Sequence, residues 1–248
     1  MLLTSFTEQD RQIDFDPKTH TYIDLVSGER LISSTNFIKR FKEDFDSETV
    51  AKKCSRDYKW GVEPSAILKL WSNNGVVTSA FGDAAHEAME HWERFKKLGE
   101  KIVQSKGKGP NPALPKHPLI KGVIESFMEV DPYGSEEGWV VLPEVFVSYG
   151  KYCGLIDRLS VNRTKKQVRL GDYKFNIKAE TKGQVTFKEP FKHLPSTKVS
   201  GYSLQLSFYA RLLELAGWEV LSLDGFVYEE GWKRYLLDYL TEFREFIK

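Results

Sequence analysis

The sequence predicts a mixed α/β fold, with a helical N-terminal part ahead of one central sheet flanked by helices. Three observations carry that expectation. Residues 77–98 repeat apolar side chains at steps of three and four, through Phe81, Ala84, Ala85, Ala88, Met89 and Trp92, the pattern of a helix with one buried stripe. Segments 139–148, 151–161 and 166–175 are rich in Val, Ile, Leu, Tyr and Phe and are bounded by turn residues, so they read as consecutive strands, with 183–188 as a further one. Residues 197–216 return to helical spacing and stop at Gly217. Residues 220–229 then read as a strand, and 231–247 as a final helix, or a strand and then a helix. A helix, a strand meander and a helix–strand pair suit one sheet covered by helices.

The elements before residue 77 are smaller. Phe15, Tyr22, Ile23, Leu25, Val26 and Leu31 predict a hairpin over 14–32, with Ser27-Gly28 as its turn. Ser33-Ser34-Thr35 reads as a helix start, followed by Phe37, Ile38 and Phe41 at helical spacing. Helices are expected over 47–58 and 64–73, the second stopped by Asn73-Asn74-Gly75. Residues 104–118 are rich in Pro, Gly and Lys and read as a loop, with a helix over 118–130 after it. No internal repeat is visible. The expectation is one domain over 1–248, with a hairpin and helical part over 1–76 and a core over 77–248.

Composition sets limits. An apolar fraction of 41% with 16 Phe supports a packed core and argues against disorder. Lys and Arg number 36 against 35 Asp and Glu, a balance that neither suggests nor excludes a nucleic-acid partner. Two cysteines, Cys54 and Cys153, are too few for a cysteine-only zinc or iron–sulfur site. The N-terminal stretch has no apolar signal region, and no run reaches membrane-spanning length, so the expectation is a soluble cytoplasmic protein with no membrane partner.

The chemistry lies in the strand meander. Gly154-Leu155-Ile156-Asp157 places a carboxylate on an apolar strand. Asp172 and Lys174 follow in Gly171-Asp172-Tyr173-Lys174, two apart on the next strand, so both project from one face. If the two strands pair through the turn at 162–166, Asp157 and Asp172 come close together. Clustered carboxylates repel unless a cation binds between them, and hard oxygen ligands suit Mg²⁺ or Mn²⁺. A neighbouring lysine stabilises developing negative charge or helps activate a water, and these are the needs of phosphodiester hydrolysis. His86, on the long helix, offers an imidazole ligand that tilts preference toward Mn²⁺. Glu144, on the preceding strand, is either a further acidic group at the site or an outward strand residue. Gln205 and Tyr209, four apart, share a helix face. Each has an ordinary reading too. Asp and Lys two apart on a strand are commonly a solvated pair, and a lone helical His is commonly structural.

In this order the residues resemble the RecB-like branch of the PD-(D/E)XK nucleases: Gly82…His86, Glu144, Gly154…Asp157, Asp172-Tyr173-Lys174 and Gln205…Tyr209. His20-Thr21-Tyr22, the Ser27-Gly28 turn and Ile32-Ser33-Ser34-Thr35 are similar to the N-terminal region of the mitochondrial genome-maintenance exonuclease and its phage relatives. The resemblance implies a restriction-endonuclease-like core. It implies that His86, Asp157, Asp172 and the Tyr173 carbonyl hold the metal and that Asp157, Asp172, Glu144 and Lys174 carry the catalysis. Gln205 and Tyr209 would support the site or touch DNA. It implies a DNA exonuclease acting on ends or single strands in recombination, repair or phage DNA processing, with a recombination or single-strand-binding protein as a partner. Some relatives carry a four-cysteine iron–sulfur cluster, which two cysteines cannot supply. No phosphate-cradling Gly-x-x-x-x-Gly-Lys-Ser/Thr motif is present.

Expected nucleic-acid contacts are Lys178 and Lys182, with Lys188 and Lys192, at the mouth of the site. Lys101, Lys106, Lys108 and Lys116 would lie over the backbone, and Trp60, Trp71 and Phe187 would stack on bases. Two other readings stay open: a structure-specific or nicking endonuclease on the same core, and a catalytically silent DNA-binding or scaffold protein.

Overall fold

The computed structural model describes residues 2–16, 18–57, 62–96, 136–175 and 185–248, with positions 123, 126, 127, 130, 180 and 181. The chain begins with three short antiparallel strands, β1 (Leu2–Thr4), β2 (Gln12–Asp16) and β3 (Thr21–Asp24). Alternation along β2 buries Ile13 and Phe15. These pack with Tyr22 and Leu31 against Phe146, Cys153 and Leu155, which docks the hairpin on the central sheet.

After β4 (Ile32–Ser33) comes the short α1 (Ser34–Ile38), whose N-terminus is capped by the Ser33 hydroxyl accepting from the Asn36 N–H. Then follow α2 (Ser47–Asp57) and the long α3 (Pro64–Lys96). The core continues with β5 (Val140–Tyr149), β6 (Tyr152–Asn162), β7 (Gln167–Phe175), α4 (Lys198–Leu215), β8 (Glu219–Tyr228), β9 (Trp232–Leu236) and the short α5 (Phe243–Phe246).

Among the described residues, β4 to β9 make a six-stranded mixed sheet in which β5, β6 and β7 run antiparallel and β8 runs parallel to β7. Alternating side chains bury both faces. Val168 and Leu170 of β7 join Leu204, Leu206, Phe208 and Leu212 of α4 in the main core. Tyr173 and Phe175 of the same strand pack with Ala85 and Met89 of α3 on the other face. The result is a helix–sheet–helix stack. The edge strand β5 is covered beyond its middle: the Phe6 N–H donates to the Phe146 carbonyl, and the Ser148 N–H donates to the Ser5 and Thr7 hydroxyls.

Several expectations change. Helix α3 runs unbroken through Asn73-Asn74-Gly75, where a stop was expected. Asn and Gly cost roughly 0.5–1 kcal/mol each inside a helix. Ending one helix and nucleating another costs more, and the Thr78 hydroxyl adds a bond to the Asn74 carbonyl. No strand forms over 185–188; Phe187 makes only an isolated bridge to Lys42. The C-terminal segment takes the strand-then-helix alternative. The 104–118 loop and most of the 118–130 helix lie outside the described residues, as do Trp60, Lys178 and Lys182. Cys54 and Cys153 are free thiols. No helix among the described residues is long and apolar enough to cross a membrane.

One buried ion pair aligns the two layers that matter most. Arg158 Nε donates to Glu93 Oε1 at 2.8 Å, and both side chains are almost fully buried. The Tyr173 hydroxyl donates to the same carboxylate oxygen. Arg158 follows Asp157 in β6, and Glu93 lies two helical turns after His86 in α3, so this clamp sets how α3 sits over the sheet. Removing one partner of such a pair strands the other charge. Glu93→Ala is therefore expected to cost roughly 3–5 kcal/mol of stability, read as the shift in a urea unfolding midpoint.

Candidate metal centre

The site forms where β6 and β7 part. β6 pairs with β7 only from Arg158 to Asn162; Tyr152 and Cys153 pair instead with the two-residue β4. At the fork the Asp157 carboxylate takes the place of a strand partner, its Oδ2 accepting the Tyr173 N–H at 2.9 Å. Carrying the β6–β7 register one step past Arg158–Gly171 sets Asp157 beside Asp172. The constant β5–β6 register sets Glu144 opposite Asp157. Three carboxylates thus lie in a row across three neighbouring strands. Glu144 leaves the ladder at this point: its φ is +48°, a strained value for a residue other than glycine, and it follows Pro143, which has no N–H to pair.

Helix α3 brings the imidazole. Ala85 and Met89 press it onto Tyr173 and Phe175, and His86 Nδ1 sits 3.6 Å from Asp157 Oδ2, with its ring edge-on to Phe175. One ligand atom each from His86, Glu144 and Asp157 lie within 4.8 Å of one another, the grouping of His and carboxylates among the described residues that can hold a metal ion. Asp172 is deeper and 2% exposed, engaged in a 2.5 Å ion pair with Lys174 Nζ. Lys174 also donates to the Tyr173 carbonyl and lies against the Tyr202 ring. Of the expected metal set of His86, Asp157, Asp172 and Tyr173, the structure brings only His86 and Asp157 into this grouping. Glu144 joins His86 and Asp157, Asp172 stands behind them with Lys174, and the Tyr173 side chain is buried on the α3 face while its carbonyl accepts from Lys174.

Burial and mutual repulsion shape the charges of the cluster. Burial pushes the Glu144 carboxyl well above its usual value, and the neighbouring Asp157 and Glu90 charges push it further. Burial also raises Asp172; Lys174 pulls it back and Asp157 pushes it up again. For Lys174, desolvation is outweighed by Asp172, Asp157 and Glu144, so its pKa is raised and it stays a cation at neutral pH. Two carboxylates and an imidazole converging in this way fit a small divalent cation, which would relieve the repulsion.

Helix α4 supports the floor. Tyr209 is buried, its hydroxyl 2.7 Å from the Ser34 hydroxyl and within reach of the Gln205 amide. Its ring lies on Gly154 so closely that a Cβ there would come within 2.4 Å of Cε1. This explains the glycine three residues before Asp157. Tyr209 thus packs beneath the site, and both it and Gln205 line the cavity. The cavity, about 570 Å³, holds His86, Glu144 and Asp157, with Thr19, His20 and Tyr22 of the hairpin forming one wall and Asp83 another. The sequence offered His20, Tyr22 and Ser34 as a hairpin and a helix start and through the N-terminal resemblance, without placing them at the cavity, and it gave no sign of Asp83. Lys188 and Lys192 are exposed, while Phe187 is buried and cannot stack on a base.

Comparisons with protein-family models, with characterised proteins and with solved structures return no significant match.

The raised Glu144 pKa has a direct consequence for stability. The folded chain keeps a proton that the unfolded chain releases above 4.5, so without metal this group's contribution falls as pH rises from there. Melting in chelator from about pH 5 to about pH 8 is expected to show wild type losing stability relative to Glu144→Gln, with added Mn²⁺ closing the gap. A constant difference between the two chains would remove Glu144 from the cluster.

Proposed function

We propose that this chain is a Mg²⁺- or Mn²⁺-dependent nuclease that hydrolyses phosphodiester bonds, acting as a DNA exonuclease on ends or single strands. The observation that carries the reading is the convergence of His86, Glu144 and Asp157 within 4.8 Å, beside the Asp172–Lys174 ion pair. The element order adds support. A helix, three antiparallel strands, a helix and a strand parallel to the third are compatible with the core that the resemblance implies, with Glu144, Asp157 and Asp172 on the three antiparallel strands.

The cation would polarise a phosphoryl oxygen and lower the pKa of water. His86, Glu144 and Asp157 would hold it. The imidazole nitrogen tilts the preference toward Mn²⁺. Lys174, kept charged by Asp172, stabilises negative charge on the phosphoryl oxygens and is not a proton acceptor at neutral pH. Tyr209 and Ser34 fix the floor beneath Asp157 through Gly154. The hairpin wall of Thr19, His20 and Tyr22 encloses the cavity on one side, which favours a strand or an end over the flank of an open duplex.

Digestion of end-labelled single- and double-stranded DNA with Mg²⁺ or Mn²⁺ tests the reading. Cleavage is expected to stop in EDTA and to fall at least ~100-fold in Lys174→Ala. A circular substrate is expected to resist; its cleavage would make the enzyme an endonuclease. Cleavage unchanged in Lys174→Ala, or no cleavage of any DNA or RNA by a metal-loaded chain, would overturn the proposal.

A further inference from the structure

A second cavity adjoins the acidic one, and the two share walls. It measures about 260 Å³ and is lined by Thr35, Ile38, Lys39, Lys42, Gly201 and Gln205. Thr35 and Gln205 also line the cavity that holds His86, Glu144 and Asp157. A ligand can run from one to the other along continuous concave surface, over the seam between α1 and α4.

Lys42 is the unusual group there. Its backbone is held firmly: its own N–H donates to the Lys39 carbonyl, the Glu43 N–H to the Thr186 carbonyl, and the Lys188 N–H to the Phe41 carbonyl. The side chain reaches α4 at Gly201, where a Cβ would stand 3.8 Å from Nζ. Burial lowers its pKa, and no carboxylate acts to raise it. Among the described residues none of the ion pairs involves Lys42, and the lining of the cavity contains no acidic side chain. Lys42 is half-buried, and an ammonium in that setting without a counter-charge gains little from the folded chain. Such a local violation is tolerated where a ligand supplies what the protein withholds. Around it stand a second ammonium, a hydroxyl and an amide, all able to donate to an anion. One cavity suits a cation and its neighbour an anion, and a polymer with a phosphate at each link presents charge to both in series.

We propose that Lys42, with Lys39, Thr35 and Gln205, forms a phosphate subsite that grips a backbone phosphate flanking the scissile one, so that the nucleic-acid strand runs from the acidic cavity across the α1–α4 seam to Lys42. The subsite rests on the nuclease reading and assigns the strand a path through it.

The test is fluorescence anisotropy of a labelled single-stranded oligonucleotide, with Ca²⁺ replacing Mg²⁺, on wild type and Lys42→Met. Methionine keeps the length and the apolar stem. The variant is expected to bind at least ~10-fold more weakly. Its slope of log affinity against log salt should fall by roughly 0.7–1. It should melt no lower than wild type, because an uncompensated charge is gone. A set of oligonucleotides, each with one neutral methylphosphonate link, should contain one position that weakens wild type and leaves Lys42→Met unaffected. If wild type cleaves DNA and Lys42→Met binds equally well with the same salt slope, the subsite is wrong and the nuclease reading stands. If Lys42→Met melts lower and binds no strand, Lys42 is structural and the subsite is again wrong. If metal-loaded wild type neither binds nor cleaves any strand, both readings fall.

Discussion

Three carboxylates in a row across neighbouring strands cannot be held together by their own charges, and much of this fold is arranged around that fact. Glu144, Asp157 and Asp172 occupy matching positions on β5, β6 and β7. Each is handled differently. Asp157 spends one oxygen on the Tyr173 N–H at the fork of the sheet. Asp172 is neutralised by Lys174 two residues on. Glu144 stands in a strained backbone conformation with its carboxyl pushed toward the protonated form. The cluster persists because rigid packing on both faces leaves it no way to spread.

That packing is specific. On one face, Tyr209 lies on Gly154 and ties its hydroxyl to Ser34, so α4 approaches β6 more closely than any residue with a Cβ at 154 would permit. On the other, the Glu93–Arg158 clamp sets α3 so that His86 meets Asp157. Two residues that follow each other in β6 thus both engage α3: Asp157 meets His86 at the carboxylate row, and Arg158 is buried against Glu93. Acidic and basic cavities then sit side by side, the second carrying a lysine that gains nothing from the folded chain itself. Both lie along one continuous groove.

Much of this was legible in the sequence. Asp157, Asp172 and Lys174 stood out because strand periodicity and a short turn dictate which side chains share a face, and the structure puts them at one fork. The long helix, the strand meander and α4 were legible for the same reason. The unbroken run of α3 was not, since Asn73-Asn74-Gly75 carries every local sign of a stop and only the cost of nucleating a new helix opposes it. Glu144 remained ambiguous because its approach to His86 depends on a positive φ that no local pattern announces. Lys42 gave no signal at all. A lysine after a short helix is usually solvated, and its lack of a counter-charge appears only when α4 folds against it.

Whether the trio binds metal can be measured without any substrate. Electron paramagnetic resonance of Mn²⁺ titrated into the chain reports free ion directly, and the account predicts saturable binding that is lost in Asp157→Asn and retained in Lys174→Met. Binding that is absent in wild type, or unchanged when Asp157 is neutralised, would contradict a metal centre built on His86, Glu144 and Asp157.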